Sequence, residues 1–292
     1  MARVTKADVA EAVRNSPVIR VLRRSPVGDS LAHSRAWKWF NSERSGRSVR
    51  PNRVGVEEAK TSLETPDRVG VQEAKNPLET YFYANQGRLI HKWVHYFEIY
   101  HRHFRSFRNK PVTIVEFGVS HGGSLQMWKH YFGAQARIIG VDINPKCAAL
   151  AEPQIQIRIG DQEDRSFLRS LADEVGGIDV LVEDGGHTMG QQIATFEEMW
   201  PNIVEGGVFL IEDLHTSYLP KYGGGLRREG TFIEYAKRLI DQEHAWHSRE
   251  DALVVDQYTK TIRGMHVYDS IIVFDKGSVQ RPKHLKTGTK SH

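Results

Sequence analysis

The sequence predicts an α/β fold, a Rossmann-like doubly wound and mostly parallel sheet that ends in an antiparallel strand pair. Short apolar runs rich in β-branched residues alternate with stretches of helical periodicity between residues 112 and 243. A glycine-rich turn follows the first run, and an acidic residue lies at or just beyond the end of each later one through residue 212. Strands separated by single helices imply right-handed crossovers and parallel pairing, so the sheet is predicted to be mostly parallel.

The predicted strands are short and apolar, as expected for a parallel sheet covered on both faces. They span residues 112–117, 136–141, 155–159, 178–182 and 208–211. Helices are predicted over 124–131, 147–152, 165–175, 190–200 and 231–243, and a glycine-rich loop over 222–228. Before the first strand, aromatic residues at helical spacing between Tyr81 and Phe107 predict a helix that covers the domain. After the last helix, 252–258 and 266–275 are predicted to pair as a hairpin.

Charge is distributed unevenly along the 292 residues. Residues 1–53 carry twelve Lys/Arg and four Asp/Glu, residues 276–292 carry five Lys/Arg and no acid, and the remainder has a net charge of −9. The acidic body argues against a nucleic-acid cleft, whereas the basic ends could contact phosphates, an anionic membrane surface or another protein.

Three segments are therefore expected along the chain. Residues 1–80 form a basic, weakly ordered extension, residues 81–277 the catalytic domain, and residues 278–292 a basic tail. The extension contains a tandem repeat, because the sequence that starts at Arg53 returns fifteen residues later at Arg68. One short helix is predicted near residues 5–14.

The single cysteine, Cys147, excludes an intrachain disulfide and a zinc site built from several thiolates. No run approaches the roughly 18 apolar residues that a membrane span requires. The N-terminus also lacks an apolar segment followed by a cleavage site. We therefore expect a cytoplasmic protein.

The glycine-rich turn predicts a cofactor site. Glycines after the first strand let backbone N–H groups approach a ligand, and a carboxylate after the second strand, here Asp142, can accept both ribose hydroxyls. The turn reads Gly118-x-x-x-Gly122-Gly123 rather than the G-x-G-x-x-G of dinucleotide sites. Glu116 would repel a pyrophosphate but tolerate a cationic sulfonium. We therefore expect S-adenosyl-L-methionine rather than NAD, although glycines placed only for tight packing would leave the same pattern.

The predicted cofactor-binding residues come from the ends of the first four strands. They are Glu116, Gly118, Gly122, Gly123, Ser124, Asp142, Asp161, Gln162 and Asp184. Among them, Asp161 and Gln162 are expected to hydrogen-bond the adenine amino group.

Two acidic clusters, each including a histidine, close the last two parallel strands. Because such strands lie about 4.8 Å apart, Asp184, Glu212 and Asp213 could bind one Mg²⁺ and leave positions for two oxygens of a vicinal diol. A coordinated hydroxyl is more acidic, so a nearby histidine can take its proton at neutral pH. His187 is the predicted general base and His215 its substitute or helper. Solvated loop acids and an ordinary surface histidine are the alternative interpretation.

Two other functions are open on the residues alone. His187, His215 and Asp184 or Asp213 have the residue types of the facial triad in a non-haem iron oxygenase. That interpretation leaves the glycine turn and Asp142 unexplained. A non-catalytic scaffold that keeps the fold and binds partners through its basic ends is the third possibility.

With these residues in place, the chain resembles the magnesium-dependent sugar O-methyltransferases of the class I S-adenosylmethionine fold. That family includes the macrolide sugar methyltransferases of mycinamicin and tylosin biosynthesis and mycobacterial sugar and polysaccharide methyltransferases. The resemblance covers about residues 81–275 and is carried by Glu116-x-Gly118-x-x-x-Gly122-Gly123-Ser124, Asp142, Asp161-Gln162, Asp184-Gly185-Gly186-His187, Ile211-Glu212-Asp213-Leu214-His215-Thr216-Ser217-Tyr218 and Tyr222-Gly223-Gly224-Gly225.

The resemblance implies a homo-oligomeric enzyme that methylates a sugar hydroxyl of a glycoside, oligosaccharide or polysaccharide. Its metal carboxylates would fall on Asp184, Glu212 and Asp213, and its base on His187. The chain departs from the family pattern at Glu183 and Gly186, where the family favours Asp and Ser. Neither position is a predicted ligand, so the departures bear on fine geometry.

Overall fold

The computed structural model describes residues 73–291. The short helix predicted near residues 5–14 and the first copy of the tandem repeat lie outside this range. Seven strands form one sheet, namely β1 (Thr113–Phe117), β2 (Arg137–Asp142), β3 (Ile155–Ile159), β4 (Ile178–Glu183), β5 (Ile203–Ile211), β6 (Ile262–Tyr268) and β7 (Ile271–Lys276). The α-helices of the described range are α1 (Pro77–Ala84), α2 (Tyr96–Phe104), α3 (Gly123–Phe132), α4 (Arg165–Val175), α5 (Met189–Met199), α6 (Phe232–Glu243) and α7 (Gln257–Thr261).

The strand order is β3-β2-β1-β4-β5-β7-β6. The first five strands pair in parallel, whereas β7 is antiparallel to both β5 and β6. The predicted fold class is confirmed: the sheet is doubly wound, mostly parallel, and ends in an antiparallel pair. The order reverses between β1 and β4, and ligands of such sheets bind outside the carboxyl ends of the strands at that point.

Two aromatic layers cover the sheet. On one face, α2 and α3 bury Tyr100, Phe104 and Trp128, with Tyr100 and Trp128 edge to face at 5.2 Å between ring centroids. On the other face, Phe196 of α5 packs against Phe274 of β7, with 4.7 Å between the ring centroids. These rings are fully buried, and each aromatic side chain removes a large apolar area from water. The rigid packing holds the strand ends, and the side chains that follow them, in fixed positions.

Local sequence explains where the helices begin. Asp164 accepts hydrogen bonds from the backbone N–H groups of Ser166 and Phe167 at the start of α4. Thr188 and Gln191 form a reciprocal capping box at the start of α5. Side-chain caps of this kind satisfy backbone donors that the helix itself leaves without partners. The same devices direct the chain away from each strand end and toward the next helix.

The prediction of one continuous helix over 81–107 is wrong, because the middle of this stretch is not helical. The structure has α1, an irregular segment over 85–95, and then α2, with a 3₁₀ turn at Arg105–Phe107. Trp93 and Val94 share the helical spacing that predicts a buried face, yet they are 56% and 47% exposed. Helical spacing continues through this stretch, yet Asn85 ends α1 in an extended conformation. The domain boundary predicted at residue 80 falls inside α1.

The predicted antiparallel strand pair exists, but the predicted residue ranges of its strands are wrong. Residues 252–258 do not form a strand, because Asp256 caps the short helix α7 instead. The pair consists of β6 and β7, and the turn between them lies inside the predicted second strand. The helix predicted over 147–152 is a 3₁₀ helix at Pro145–Leu150. Within residues 73–291, no helix has both the length and the apolar content needed to cross a bilayer.

Candidate metal and cofactor site

The carboxyl ends of β1, β4 and β5 bring the predicted site residues together. Phe117 pairs with Glu183, which pairs with Ile211. The ladder continues one residue further, since the Asp184 N–H donates to the Phe117 carbonyl at 3.0 Å and the Glu212 N–H donates to the Glu183 carbonyl at 2.9 Å. The two predicted carboxylates, Asp184 and Glu212, therefore lie side by side on neighbouring strand ends.

Asp184, His187 and Asp213 form the outer cluster. His187 Nε2 lies 3.9 Å from Asp184 Oδ1 and 3.5 Å from Asp213 Oδ2. Each of the three side chains is about one fifth exposed, with values of 21%, 19% and 22%. His187 and Asp213 both stand on left-handed backbone, with φ of 57° and 53°. This conformation is uncommon for residues other than glycine, and it aims both side chains at the same point.

The protein fixes one oxygen of each outer carboxylate and leaves the other directed at His187. Asp184 Oδ2 accepts a short hydrogen bond from Lys92 Nζ. Asp213 Oδ1 accepts a hydrogen bond of 2.7 Å from the Tyr96 hydroxyl. Because each carboxylate is held by a separate donor, its second oxygen is positioned before any ligand arrives.

Lys92, Tyr100, Glu116 and Glu212 form the inner cluster, directly behind the outer one. Lys92 Nζ contacts both oxygens of Glu212 at 2.9 Å and lies 3.7 Å from Glu116 Oε1. The Tyr100 hydroxyl donates to Glu212 Oε1 at 2.6 Å. The Lys92 side chain is 3% exposed and the carboxylates 1% or less. A lysine buried so deeply requires charged partners, and here it has them.

The Lys92 ammonium faces three carboxylates, namely Glu116 and Glu212 of the inner cluster and Asp184 of the outer cluster. Burial alone would lower the pKa of Lys92, but the negative charges around it raise that pKa well above its usual value. Burial raises the pKa of Glu116 to about 7, against the opposing effect of Lys92. Burial and the neighbouring charge of Asp184 also raise the pKa of Glu212. Burial is the larger cause at both carboxyl groups, and the charge of Asp184 adds to it, so a cation close to these acids would favour their ionised forms.

The outer cluster fits a divalent cation that prefers oxygen ligands. Asp184 Oδ1, Asp213 Oδ2 and a nitrogen of His187 all lie within 4.8 Å of one another, and carboxylate oxygens are the ligands of Mg²⁺. Asp184 and Asp213 are thus the residues that would hold it. Glu212, the third predicted ligand, has both oxygens engaged by Lys92, so its participation requires an exchange of partners.

The glycines of the turn are required by close approach and backbone conformation. Gly118 has a φ of 91°, and a Cβ there would overlap the carbonyl oxygen of Asp184. A Cβ on Gly123 would overlap the carbonyl of Leu89. Gly122 adopts a left-handed conformation at the start of α3. The turn is therefore pressed against β4 on one side and against the irregular segment 85–95 on the other.

Glu116 and Ser124 connect this turn to the inner cluster. The Ser124 hydroxyl donates to Glu116 Oε2 at 2.7 Å, and both residues are buried. Glu116 Oε1 is buried without a hydrogen-bond partner. Because Glu116 is the fourth residue of β1 rather than part of the loop, its carboxylate lies beneath the turn.

Asp142 holds the glycine turn against the end of β2. Its Oδ2 accepts from the backbone N–H groups of Val119 at 2.9 Å and Ser120 at 3.0 Å. Its Oδ1 accepts from the Asn144 N–H at 2.8 Å. The carboxylate sits where a ribose-binding acid was predicted, and each of its oxygens already accepts at least one bond from the protein.

Asp161 and Gln162 differ in how the protein uses them. Asp161 Oδ1 accepts from the Glu163 N–H at 2.9 Å in a local turn. The Gln162 amide donates a short hydrogen bond to Glu183 and accepts from the Gly186 N–H at 3.3 Å. Glu183, one of the two departures from the family pattern, is fully buried. Gln162 therefore joins the ends of β3 and β4, and its amide is occupied within the protein.

His215 lies apart from the outer cluster. Its ring packs edge to face with exposed Trp93, at 6.1 Å between centroids. In the described part of the chain, the ligand group at this site contains His187 but not His215. An iron triad of two histidines and one carboxylate is thus not assembled by the residues predicted for it, and the oxygenase interpretation is not favoured.

Three site residues, Lys92, Tyr96 and Tyr100, were not predicted from the sequence. All three lie between Tyr81 and Phe107, where the sequence predicts a covering helix with Tyr100 on its apolar stripe and with Lys92 in a position to face a substrate. The signal available for the tyrosines was their four-residue spacing, which places both hydroxyls on one side of α2. For Lys92 no local signal exists, because its carboxylate partners come from three different strands.

The chain is similar in sequence to known methyltransferases. A family model described as a methyltransferase domain matches residues 115–214. A tetracenomycin-pathway enzyme of Streptomyces olivaceus, 8-demethyl-8-(2-methoxy-alpha-L-rhamnosyl)-tetracenomycin-C 3'-O-methyltransferase, is 39% identical over 197 residues, covering 63% of this chain and 50% of the relative. Mycinamicin VI 2''-O-methyltransferase of Micromonospora griseorubida is 34% identical, covering 61% and 47%.

A solved structure is similar over the same region. The MycE methyltransferase of the mycinamycin biosynthetic pathway, in complex with Mg, SAH and mycinamycin VI, superposes with a TM-score of 0.61 at 32% identity. The match covers 69% of this chain and 53% of that chain. The chain spans about half the length of the curated relatives it matches. Residues 115–214 thus match a methyltransferase-domain model, and the chain is similar in sequence to macrolide and tetracenomycin sugar O-methyltransferases and in fold to MycE.

Proposed function

We propose that this protein transfers a methyl group from S-adenosyl-L-methionine to a hydroxyl of a sugar carried by a small-molecule glycoside, with Mg²⁺ at the outer cluster. One observation carries the proposal. Asp184 Oδ1, Asp213 Oδ2 and His187 Nε2 converge at the carboxyl ends of β4 and β5, next to the glycine turn where the sheet order reverses. That is where a class I sheet binds its ligand.

S-adenosylmethionine would supply the electrophile, and Mg²⁺ would activate the sugar hydroxyl. S-adenosylmethionine carries a methyl group on a positively charged sulfur, and a divalent ion lowers the pKa of a hydroxyl bound to it. The remaining work falls to the protein, which positions the sugar hydroxyl and removes its proton. Positioning two reactants is among the largest contributions an enzyme can make to rate.

His187 is the proposed base. Its Nε2 faces the two free carboxylate oxygens, while its Nδ1 is buried without a hydrogen-bond partner. The left-handed backbone at this residue turns the imidazole back over the strand ends. A sugar hydroxyl seated between the two carboxylates would lie within reach of Nε2, and general bases contribute roughly 10²–10⁴-fold to rate.

The glycine turn and Asp142 are proposed to bind the cofactor. Asp142 already fixes the N–H groups of Val119 and Ser120, and its oxygens retain lone pairs that can accept ribose hydroxyls. Glu116 Oε1, buried and lacking a hydrogen-bond partner, offers an acceptor beneath the same turn. Of the adenine-binding residues predicted from sequence, Asp161 stays the better candidate, because the Gln162 amide has internal partners.

An apolar rim favours an acceptor whose sugar is attached to a hydrophobic aglycone. The Tyr222 ring lies 6.4 Å from the His187 ring, so the glycine-rich loop after it borders the site. Leu226 in this loop is 78% exposed, and Trp93 is 56% exposed beside His215. Exposed apolar side chains around a polar centre are typical of ligand-binding sites. The names of the relatives reported above give a rhamnosyl-bearing tetracenomycin C and mycinamicin VI as the molecules that they methylate.

The test is a methylation assay with glycosylated macrolides and glycosylated tetracyclic polyketides as candidate acceptors. The chain is incubated with S-adenosylmethionine, Mg²⁺ and each acceptor, and mass spectrometry follows a gain of one methyl group on the sugar. The expected result is a single methylated product that disappears with His187→Ala or with EDTA. Product formation that is unchanged in EDTA would remove the metal from the proposal.

A non-catalytic scaffold is distinguished by binding rather than by turnover. Calorimetric titration with S-adenosylmethionine is expected to give one site on the wild-type chain, and Asp142→Ala is expected to weaken it. A chain that binds no S-adenosylmethionine would support the scaffold instead. The homo-oligomer, and contacts of the basic ends with anionic surfaces, stay predictions that light scattering and vesicle sedimentation can test.

A further inference from the structure

We propose that His103, His266 and Asp275 form a second metal site, one that takes a divalent transition ion of the zinc class and is separate from the outer cluster. His103 lies on α2, His266 on the edge strand β6 and Asp275 on β7. One ligand atom from each residue lies within 4.8 Å of those of the other two. The proposal does not depend on the methyltransferase activity.

The geometry is already close to that of a bound ion. His266 Nε2 and Asp275 Oδ2 are 3.0 Å apart, and the rings of His103 and His266 have centroids 4.8 Å apart. Zinc–nitrogen and zinc–oxygen bonds of about 2.0–2.2 Å in a tetrahedron place neighbouring ligand atoms about 3.3 Å from each other. Because no pair of ligand atoms is more than 4.8 Å apart, the widest pair needs to close by at most about 1.5 Å, which side-chain rotation can supply.

The chemistry of the donors selects the ion. Two imidazoles and one carboxylate suit zinc and similar first-row ions, whereas Mg²⁺ prefers oxygen alone. Tyr268 lies 2.9 Å from His103 Nε2 and provides the kind of outer hydrogen bond that orients ligand histidines.

The site is accessible and has room for a fourth ligand. The side chains of His266 and Asp275 are 42% and 25% exposed, so an ion can enter from solvent. Three protein ligands leave one position of the tetrahedron for water. The cluster lies about 10 Å along the axis of α2 from Tyr96, since seven residues of helix separate them.

A metal here would connect α2 to the edge of the sheet. The same helix carries Tyr96 and Tyr100, whose hydroxyls hold Asp213 and Glu212. An ion at His103 would join the end of this helix to β6 and β7. We expect such a site to stabilise the domain and to hold α2, and with it the two tyrosines, in position. The ion itself would not contact substrate.

The experiment is a Zn²⁺ titration of the metal-free 292-residue chain, with a chromophoric chelator as competitor and excess Mg²⁺ present to occupy the outer cluster. One tight zinc equivalent is expected for the wild type and for Asp213→Asn, in which the outer cluster is altered. His266→Phe and Asp275→Asn should each lose more than about 100-fold in zinc affinity, since even outer-shell changes cost 10–100-fold. His284→Phe, an exposed histidine in the C-terminal tail, is the matched control and should bind as the wild type does.

Two further measurements distinguish the loss of a zinc ligand from misfolding of a variant. Co²⁺ bound to the wild type is expected to show the intense visible bands of a four-coordinate site, and zinc should raise the melting temperature of the wild type but not of Asp275→Asn, the near-isosteric variant. Absence of tight zinc binding, or binding that survives both His266→Phe and Asp275→Asn, overturns the proposal. Loss of zinc binding in Asp213→Asn alone would assign the ion to the outer cluster and overturn it as well.

Discussion

The inner and outer clusters contain similar residues but present them differently. In the inner cluster every charged group is buried, and Lys92 and Tyr100 take up both oxygens of Glu212. In the outer cluster each carboxylate has one oxygen fixed by the protein and one directed at a half-open space beside His187. Internal hydrogen bonds occupy the inner cluster except at Glu116 Oε1, whereas in the outer cluster each carboxylate keeps one oxygen without a donor from the protein. The number of acids at a site therefore indicates its capacity to bind a ligand less well than does the number of carboxylate oxygens without a partner in the protein.

The largest expected effect is on the inner cluster. Lys92→Met leaves buried carboxylates without their cation, and breaking a buried ion pair in this way costs about 3–5 kcal/mol of unfolding free energy. Urea denaturation measures the change. Lys237→Met is the matched control, because that lysine is 54% exposed and its ion pair with Glu234 lies at the surface. If both lysine variants unfold at the same urea concentration, the inner cluster does not have the structural role assigned to it.

The next effect separates chemistry from stability. His187→Ala is expected to reduce the turnover number on the order of 10²–10⁴-fold, with little change in S-adenosylmethionine affinity or in unfolding free energy. The reason is that the imidazole faces the free oxygens and makes no buried hydrogen bond through Nδ1. His215→Ala, beside Trp93, serves as the control and should lose at most a few-fold of turnover. Equal losses in the two variants would place the base elsewhere.

The third effect is on metal affinity, which compares Asp184, Asp213 and Glu212 as ligands. Asp213→Asn and Asp184→Asn are expected to weaken Mn²⁺ binding, followed by electron paramagnetic resonance, by more than about tenfold, since each removes a charged ligand. Glu212→Gln should have a smaller effect on this affinity, because Lys92 holds both oxygens of that residue. A larger loss for Glu212→Gln than for Asp213→Asn would mean that the ion displaces Lys92. The assignment of the two clusters would then have to be reversed.

The smallest effects concern the two tyrosines of α2. Tyr100→Phe removes a hydrogen bond to a buried carboxylate and is expected to cost about 1.5–3 kcal/mol of unfolding free energy. Tyr96→Phe removes the equivalent bond to Asp213, which is 22% exposed, so water can replace it and the cost should be about 1 kcal/mol or less. Chemical denaturation of both variants gives the comparison. A greater cost for Tyr96→Phe would contradict the difference in burial between the clusters.

The central part of the fold could be predicted because its signals are local. The strand β3 and the helix α4 have the predicted bounds, since an apolar run or a helical period there is bounded by acids and glycine. Acids after successive strands also predicted that Asp184 and Asp213 would meet. Parallel strands bring their carboxyl ends to one edge, and this follows from topology without any knowledge of packing.

The segment 85–95 could not be predicted because its conformation depends on distant contacts. Its aromatic and apolar residues repeat at helical spacing, yet the segment lies against the glycine turn, where the carbonyl of Leu89 occupies the space that a side chain on Gly123 would need. Lys92 reaches the inner cluster from there. Its role is set by carboxylates between 24 and 120 residues away in the sequence, and no local pattern reports such partners.

The hairpin was misplaced for a local reason. Residues 252–258 include β-favouring valines, but Asp256 and Thr259 satisfy each other's backbone groups and begin α7. A reciprocal cap outweighs strand propensity over so short a stretch. The strand therefore starts only at Ile262, after this helix ends.

The left-handed backbone at His187 and Asp213 has a consequence for how this domain can change. Glycine adopts that conformation without the steric cost that other residues bear, so His187→Gly should gain up to about 1 kcal/mol of stability. Asp213→Gly should gain less, because it also loses the hydrogen bond from Tyr96. Directed evolution for thermal tolerance alone would be drawn toward these two positions and would erase the outer cluster. A library screened for heat resistance should therefore hold both codons fixed. The measured stability of His187→Gly would report how much folding free energy the domain gives up to orient its proposed base.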